Sequence, residues 1–236
     1  MWCASSQHLR SFAPDPIQIE SQLLHPVSQV KCLGVIFDSK VSFAPHVSRT
    51  VATCFSVLRR IRSVHGSLTT HLLTILVRSL VLSRLDYCLP ILSGIPASLR
   101  RQLQSVLHAS VRTIFRANRF SSVFPLLREL GWLPIQDRIA LRLAVMTHRC
   151  LSGAAPAYLQ SEVQLISNVS HRTRLRSSAT RNLVIPFSRR STFGERSFPV
   201  SAARTWNSLP PTIKEEHNAK LFKSLVRKHL ISLHHA

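Results

Sequence analysis

SLVLSRLDYCLPILSG, residues 79–94, is the stretch from which the fold can be read. Leu80, Val81, Leu82 and Leu85 keep helical spacing as far as Asp86 and Tyr87. Pro90 then disfavours helical backbone at Leu89. Apolar residues resume at Ile91, Leu92 and Ile95, and Pro96 opens a further helix. So much apolar surface in so short a run needs cover from a core. The stretch is therefore expected to be a buried hinge between two packed helices. Arg84 and Asp86 flank the turn and are expected to satisfy backbone groups or each other.

Working outward, helical patterns dominate. Residues 46–64 carry Val47, Val51, Phe55, Leu58 and Ile61 at spacings of three and four, with Arg49, Arg59, Arg60 and Arg62 as the charged complement. Gly66 ends that run, and Thr69 or Thr70 caps the next, over 70–85, which is apolar around most of its circumference. Residues 97–116 place Leu99, Leu103, Val106, Leu107, Val111 and Ile114 on one face, with Arg100, Arg101, Arg112 and Arg116 outside. A short helix over 123–130 ends at Gly131. The turn Gly131-Trp132-Leu133-Pro134 launches another over 135–151, with Ile139, Leu143, Met146 and Cys150 inward and Gly153 as its stop. Before these helices, 17–24 and 30–37 have strand character and are expected to pair as a β-hairpin across His25-Pro26. After them, composition shifts near Asn168. Residues 171–204 hold eight arginines and one acid, Glu195, with short strand-like runs at 183–187 and 198–200 that Pro186 and Pro199 interrupt. Trp206 to Leu209 is expected to dock back as an aromatic anchor, and 218–233 to form a last amphipathic helix on Leu221, Phe222, Leu225 and Leu230.

The fold class is thus mainly α: a helical bundle with a small N-terminal β-hairpin and an irregular basic C-terminal segment. The expected divisions are a loose arm at 1–16, the hairpin at 17–44, the bundle at 45–167, a basic extended segment at 168–217 and a C-terminal amphipathic helix at 218–236. Only six glycines in 236 residues favour long helices over many tight turns. Thirty-one Lys and Arg against ten Asp and Glu give a formal charge of +21. An excess that large favours a polyanion partner, nucleic acid first and an acidic membrane surface second. Arginine outnumbers lysine, which suits bidentate phosphate contact. Five widely spaced cysteines imply no disulfide framework and a reducing compartment. No run approaches the ~20 apolar residues of a membrane span, and the N-terminus does not look like a signal peptide.

Seven pieces, in order, carry a family resemblance: VKCLGVIFDSKVSFAPHV (30–47), SRLDYCLPILSGIP (83–96), LQSVLHASVRTIF (103–115), LRELGWLPIQDRIALRLAVM (127–146), LSGAAPAYL (151–159), RTRLRSS (172–178) and AARTWNSLP (202–210). Together they resemble the thumb and C-terminal region of a non-LTR retrotransposon reverse transcriptase of the jockey-like and chicken-repeat-like type, over about residues 17–230. The resemblance implies a thumb-like bundle that grips template and primer, with the Leu33-Gly34-Val35 element close to the primer end. One departure is visible: the family usually has a polar residue after the Tyr-Cys pair, whereas Leu89 and Pro90 follow Cys88 here.

Polymerase chemistry places two metal ions on closely spaced carboxylates, which the family supplies with an aromatic-x-Asp-Asp motif. This sequence has none, and its only adjacent acids are Glu215 and Glu216. No Gly-x-Ser-x-Gly, glycine-rich phosphate loop or Cys-x-x-Cys occurs either. The expectation is no enzyme, no metal and no cofactor. What remains is phosphate-backbone binding to RNA or DNA by Arg172, Arg174, Arg176, Arg181, Arg189 and Arg190, with Arg59, Arg60 and Arg62 as a second contact. Phe187, Phe193 and Phe198 either stack on bases or pack in the core. The functional expectation is a non-catalytic remnant that keeps sequence-tolerant nucleic-acid binding in the nucleus or cytoplasm. The alternatives are a truncated reading frame with no independent activity and a helical protein that binds a membrane surface or a partner.

Overall fold

The computed structural model describes residues 1–3, 15–168, 181–188 and 194–233. The chain is mainly helical with antiparallel strands at its N-terminus, the class expected from the sequence. It divides into two compact units, Met1–Tyr87 with Ile95–Arg119, and Cys88–Gly94 with Phe120–Ala236.

The first unit opens with four short strands: β1 (Ile17–Ile19), β2 (Gln22–Leu24), β3 (Gln29–Cys32) and β4 (Val35–Asp38). The pairing differs from the expected hairpin across His25-Pro26. Each strand-like run folds on itself, β1 against β2 and β3 against β4, in two separate sheets. Leu33 (φ 46) and Gly34 (φ 85) form the two-residue turn of the second hairpin, the left-handed pair that such turns require. The tight turn at Gly34 is why 30–37 could not run on as one strand.

After β4, Val41 and Phe43 both take positive φ, which strains a β-branched and an aromatic residue. Asp38 holds this loop. Its carboxylate accepts from the Phe43 N–H at 2.9 Å and its carbonyl from the Val41 N–H at 2.7 Å. Helix α1 (Ala44–Val64) starts there, with a proline in its first turn. It buries Val47, Cys54, Leu58 and Ile61, while Val51 and Phe55 are half-buried. The Thr69 side chain caps α2 (Thr70–Val77), accepting from the Leu72 N–H. The helical path continues as a π turn over Arg78–Leu82 and one α turn at Ser83–Leu85. Leu72, Ile75 and Leu80 stay over 40% exposed, so this helix is less enclosed than its composition suggests. Helix α3 (Ala97–Phe115) packs on α1 and α2 with all six expected residues buried.

Residues 79–94 are not a simple hinge between packed helices. The break falls at Cys88, in left-handed backbone (φ 52), and Cys88–Gly94 belongs to the second unit. There Leu89–Leu92 forms a single 3-10 turn that buries Leu89 and Leu92. It packs on α5 (Ile135–Leu151), which α4 (Phe124–Glu129) and the Gly131 turn precede. A short α6 (Ala157–Gln160) follows. Phe198–Val200 is not a strand; it opens helix α7 (Phe198–Asn207), with Pro199 in the first turn, where a proline is compatible with helix. Short α8 (Pro211–Lys214) and α9 (Ala219–Ser232) complete the unit, with Asn218 capping α9. The buried face of α9 is Phe222, Val226 and Leu230, while Leu221 points outward.

The second core centres on Trp206, as the anchor reading expects. Its ring stacks on Phe222 (centroids 5.6 Å apart), which stacks in turn on His148 at 4.3 Å. Residues 181–184 are clamped to it. The Trp206 indole N–H donates to the Arg181 carbonyl (2.6 Å), and the Asn207 amide both accepts from the Leu183 N–H (2.8 Å) and donates to its carbonyl (2.9 Å). The buried Lys214 ammonium donates to the Asn182 side chain and the Asn207 carbonyl. A single bridge to Leu165 replaces the strand expected at 183–187.

Two predictions follow from the buried polar groups. Burial pushes the Asp38 carboxyl up, but hydrogen bonds from Ser42 and Phe43 outweigh it and hold the carboxyl below its ordinary value. A depressed folded value stabilises above the unfolded pKa and is lost as pH falls through the folded one. Asp38→Ala should therefore cost about 1–2 kcal/mol near neutral pH by analogy with a lost cap. The gap to wild type should close below about pH 4 in urea titrations. The second concerns thiols. Burial pushes Cys54 up to about 11, only partly opposed by the Arg84 charge, and raises Cys150 as well. A disulfide reagent should label the exposed Cys3 and Cys32 at once, and Cys54 and Cys150 only on unfolding.

Candidate nucleic-acid interface

Of the nine arginines expected to contact phosphate, Arg172, Arg174, Arg176, Arg189 and Arg190 lie outside the described residues, as does Phe193. Arg181 is half-buried beside the Trp206 clamp. Phe187 is not a core residue; it is 88% exposed, whereas Phe198 is half-buried at the start of α7.

Arg59, Arg60 and Arg62 share the end of α1 but not one role. Arg59 and Arg60 are exposed. Arg62 reaches α3, where its Nε donates to Thr113 Oγ1 (3.0 Å) and its Nη2 to the Ala109 carbonyl (3.4 Å). Arg116, expected outside, likewise donates to the His65 and Leu68 carbonyls. These two guanidiniums, both on exposed residues, staple helix ends within the first unit, so Arg62 differs from Arg59 and Arg60 in being held by a neighbouring helix. Glu195, the one acid of the basic stretch, pairs with Arg204 through two 3.2 Å contacts.

The structure assembles a basic site that sequence spacing did not reveal. A cleft of about 340 Å³ opens in the first unit between β3–β4, α1 and the end of the second helix. Lys31, Arg49 and Arg84 line it, one from each element, with His46, Thr50, Thr53, Ser83 and Tyr87. No carboxylate lines it, and among the described residues none of the three cations lies within ion-pair distance of one. The Tyr87 hydroxyl donates to the Leu33 carbonyl at 2.5 Å, and its ring lies where a Cβ on Gly34 would meet it at 3.2 Å. Tyr87 thereby fixes the hairpin that carries Lys31 against the helix that carries Arg84. Burial lowers His46, so it offers hydrogen bonds rather than charge at neutral pH. Lys31, Arg49 and Arg84 are 18 to 53 positions apart in sequence and show no periodicity, which is why the chain alone did not group them.

A second basic surface runs along α9. Lys220, Lys223 and Arg227 are exposed and recur every three to four residues. Arg227 also donates to the Gly131 carbonyl, tying α9 to the turn before α5. Among the described residues no three His, Cys, Asp or Glu side chains group as metal ligands, and no helix is long and apolar enough to cross a membrane. Comparison with family models, curated proteins and solved structures gives no match.

The arginine assignment separates by stability. Arg62→Ala should lower the urea midpoint by the equivalent of about 1–2 kcal/mol, the loss of a charged hydrogen-bond donor. Arg59→Ala and Arg60→Ala should each stay within about 0.5 kcal/mol of wild type.

Proposed function

We propose that this chain is the thumb and C-terminal region of a non-LTR retrotransposon-like reverse transcriptase, without catalysis of its own, that binds RNA or DNA through the phosphate backbone. The observation that carries the binding is the first unit's cleft: three cations from three elements with no ion-pair partner among the described residues, hydroxyl groups between them and no acid in the lining. Such a cluster is self-repulsive until an anion occupies it. Phosphates repeat along a strand and fit that need without regard to base identity. The family origin rests on the seven ordered motifs, and the non-catalytic reading on the absence of paired catalytic aspartates from this sequence. The membrane-surface alternative is less well supported, because the apolar face of the basic helix α9 is already buried in the second core.

Fluorescence anisotropy with a labelled mixed-sequence oligonucleotide tests the proposal. Binding should weaken steeply with salt and vary little with sequence. Replacing Lys31, Arg49 and Arg84 together by Ala should reduce the log–log salt slope by about 2 on single strands, from about 0.7 per phosphate contact. A folded chain that ignores oligonucleotides at low salt, or a slope unchanged by the triple variant, would remove the proposal. His46 gives a pH signature: a bound phosphate favours its protonation, so affinity should rise as pH falls from 7.5 to about 6. His46→Gln should flatten that rise.

A further inference from the structure

The second unit holds a larger cleft of about 600 Å³. Its lining is mostly apolar: Phe124 and Leu127 from α4, Trp132 from the turn, and Ile231 from α9. Trp132 is buried, whereas Phe124 is 65% exposed, a costly position for a phenylalanine that covers nothing. The basic stripe of α9 leads to this cleft. Ile231, one turn beyond Arg227, forms part of its wall, and Arg227 is bonded to Gly131 in the same wall. Lys220, Lys223 and Arg227 extend about 10 Å along the helix from there, at 1.5 Å per residue.

We propose that this cleft accepts an unpaired nucleobase while the phosphates of the same strand follow Lys220, Lys223 and Arg227. This rests on the nucleic-acid reading above and adds a base-stacking site to it. Charge complementarity selects the occupant. Arg128 and Glu129 both stand in the lining and offset one another, so the interior gives a phosphate no net attraction while the stripe outside does. A neutral, flat group attached to an anionic backbone satisfies both, and every base presents a π face to Phe124. An aliphatic ligand would leave the stripe unused, and a bare polyanion would leave the apolar wall uncovered.

The test uses the full chain and two short probes of equal length, oligo-dT and its abasic counterpart. Wild type should bind oligo-dT about tenfold more tightly than the abasic strand, the size of one base–aromatic stack. Phe124→Ala should remove that tenfold on oligo-dT and leave abasic binding unchanged. Phe124→Trp should restore it. Lys220→Ala with Lys223→Ala should weaken both probes alike. Circular dichroism confirms that each variant is folded, and truncation of an exposed ring leaves the core intact. Equal losses on both probes, or no loss on oligo-dT, would overturn the stacking site while sparing the broader reading. If the folded wild type bound neither probe, both would fall. If Phe124→Ala instead impaired binding to phosphatidylglycerol vesicles and not to oligo-dT, the cleft would belong to a membrane surface and the proposal would be wrong.

Discussion

The second unit depends on one side-chain clamp. Asn207 makes paired hydrogen bonds with the Leu183 backbone, and Trp206 beside it holds the Arg181 carbonyl. Residues 181–184 belong to no regular sheet, so their buried polar groups have few alternatives to these partners. An amide side chain can mimic a neighbouring strand, accepting and donating at once, and that is what a lone buried segment needs. Leu183 is nearly fully buried as a result, in the same cluster as Trp206 and Phe222. The clamp lies on α7, and α7 packs on α5, so the arginine-rich stretch returns to the core at a defined point.

The first unit solves a different problem. Its hairpins are too short to be stable alone, and β1 and β2 are exposed throughout. β3 is exposed as well; among the described strands β4 alone holds buried residues, packed on α1, and Tyr87 lies over the β3–β4 turn. Left-handed backbone at Leu33, Val41 and Phe43 carries strain, of order 1–3 kcal/mol each. Asp38 and Tyr87 supply compensating hydrogen bonds at these points. The strained loops and the cationic cleft therefore share supports: the contact that fixes the turn also fixes the distance between Lys31 and Arg84.

Periodicity made the helices legible. Helix α5 runs over the interval that the Gly131 turn and Gly153 delimit, and the buried face of α3 coincides with its apolar stripe. Where the reading missed, short-range geometry had overruled pattern. A Leu-Gly turn folded one strand-like run into a hairpin, and a first-turn proline began a helix where it seemed to interrupt a strand. Leu221 shows a phase error: α9 turns on Phe222, Val226 and Leu230, so a leucine next to the stripe was counted inward. The basic cleft was illegible for a deeper reason. Charge clusters made by tertiary packing leave no spacing signature, whereas Arg59, Arg60 and Arg62 look like a cluster in sequence although one of them is bonded to a neighbouring helix.

Under the proposed function, the division of labour between motifs and charges bears on how binding would survive without catalysis. The residues that carry the family resemblance are largely scaffold: Leu85, Trp132, Leu133, Ala203, Trp206 and Leu209 are buried, and Gly34 is fixed by the ring packed against it. The charges of the two proposed surfaces sit outside that scaffold, on helix faces and one hairpin. A catalytic centre needs carboxylates held to fractions of an ångström. Phosphate contact needs only cations at roughly the right spacing on a rigid support, since the interaction is long-ranged and tolerant of direction. On the proposed reading, a chain that keeps its apolar pattern would keep its grip on a polyanion without polymerase geometry. Loss of any one of these cations would weaken that grip by a fraction, whereas loss of the Trp206 clamp would free residues 181–184 from the second core without touching either surface.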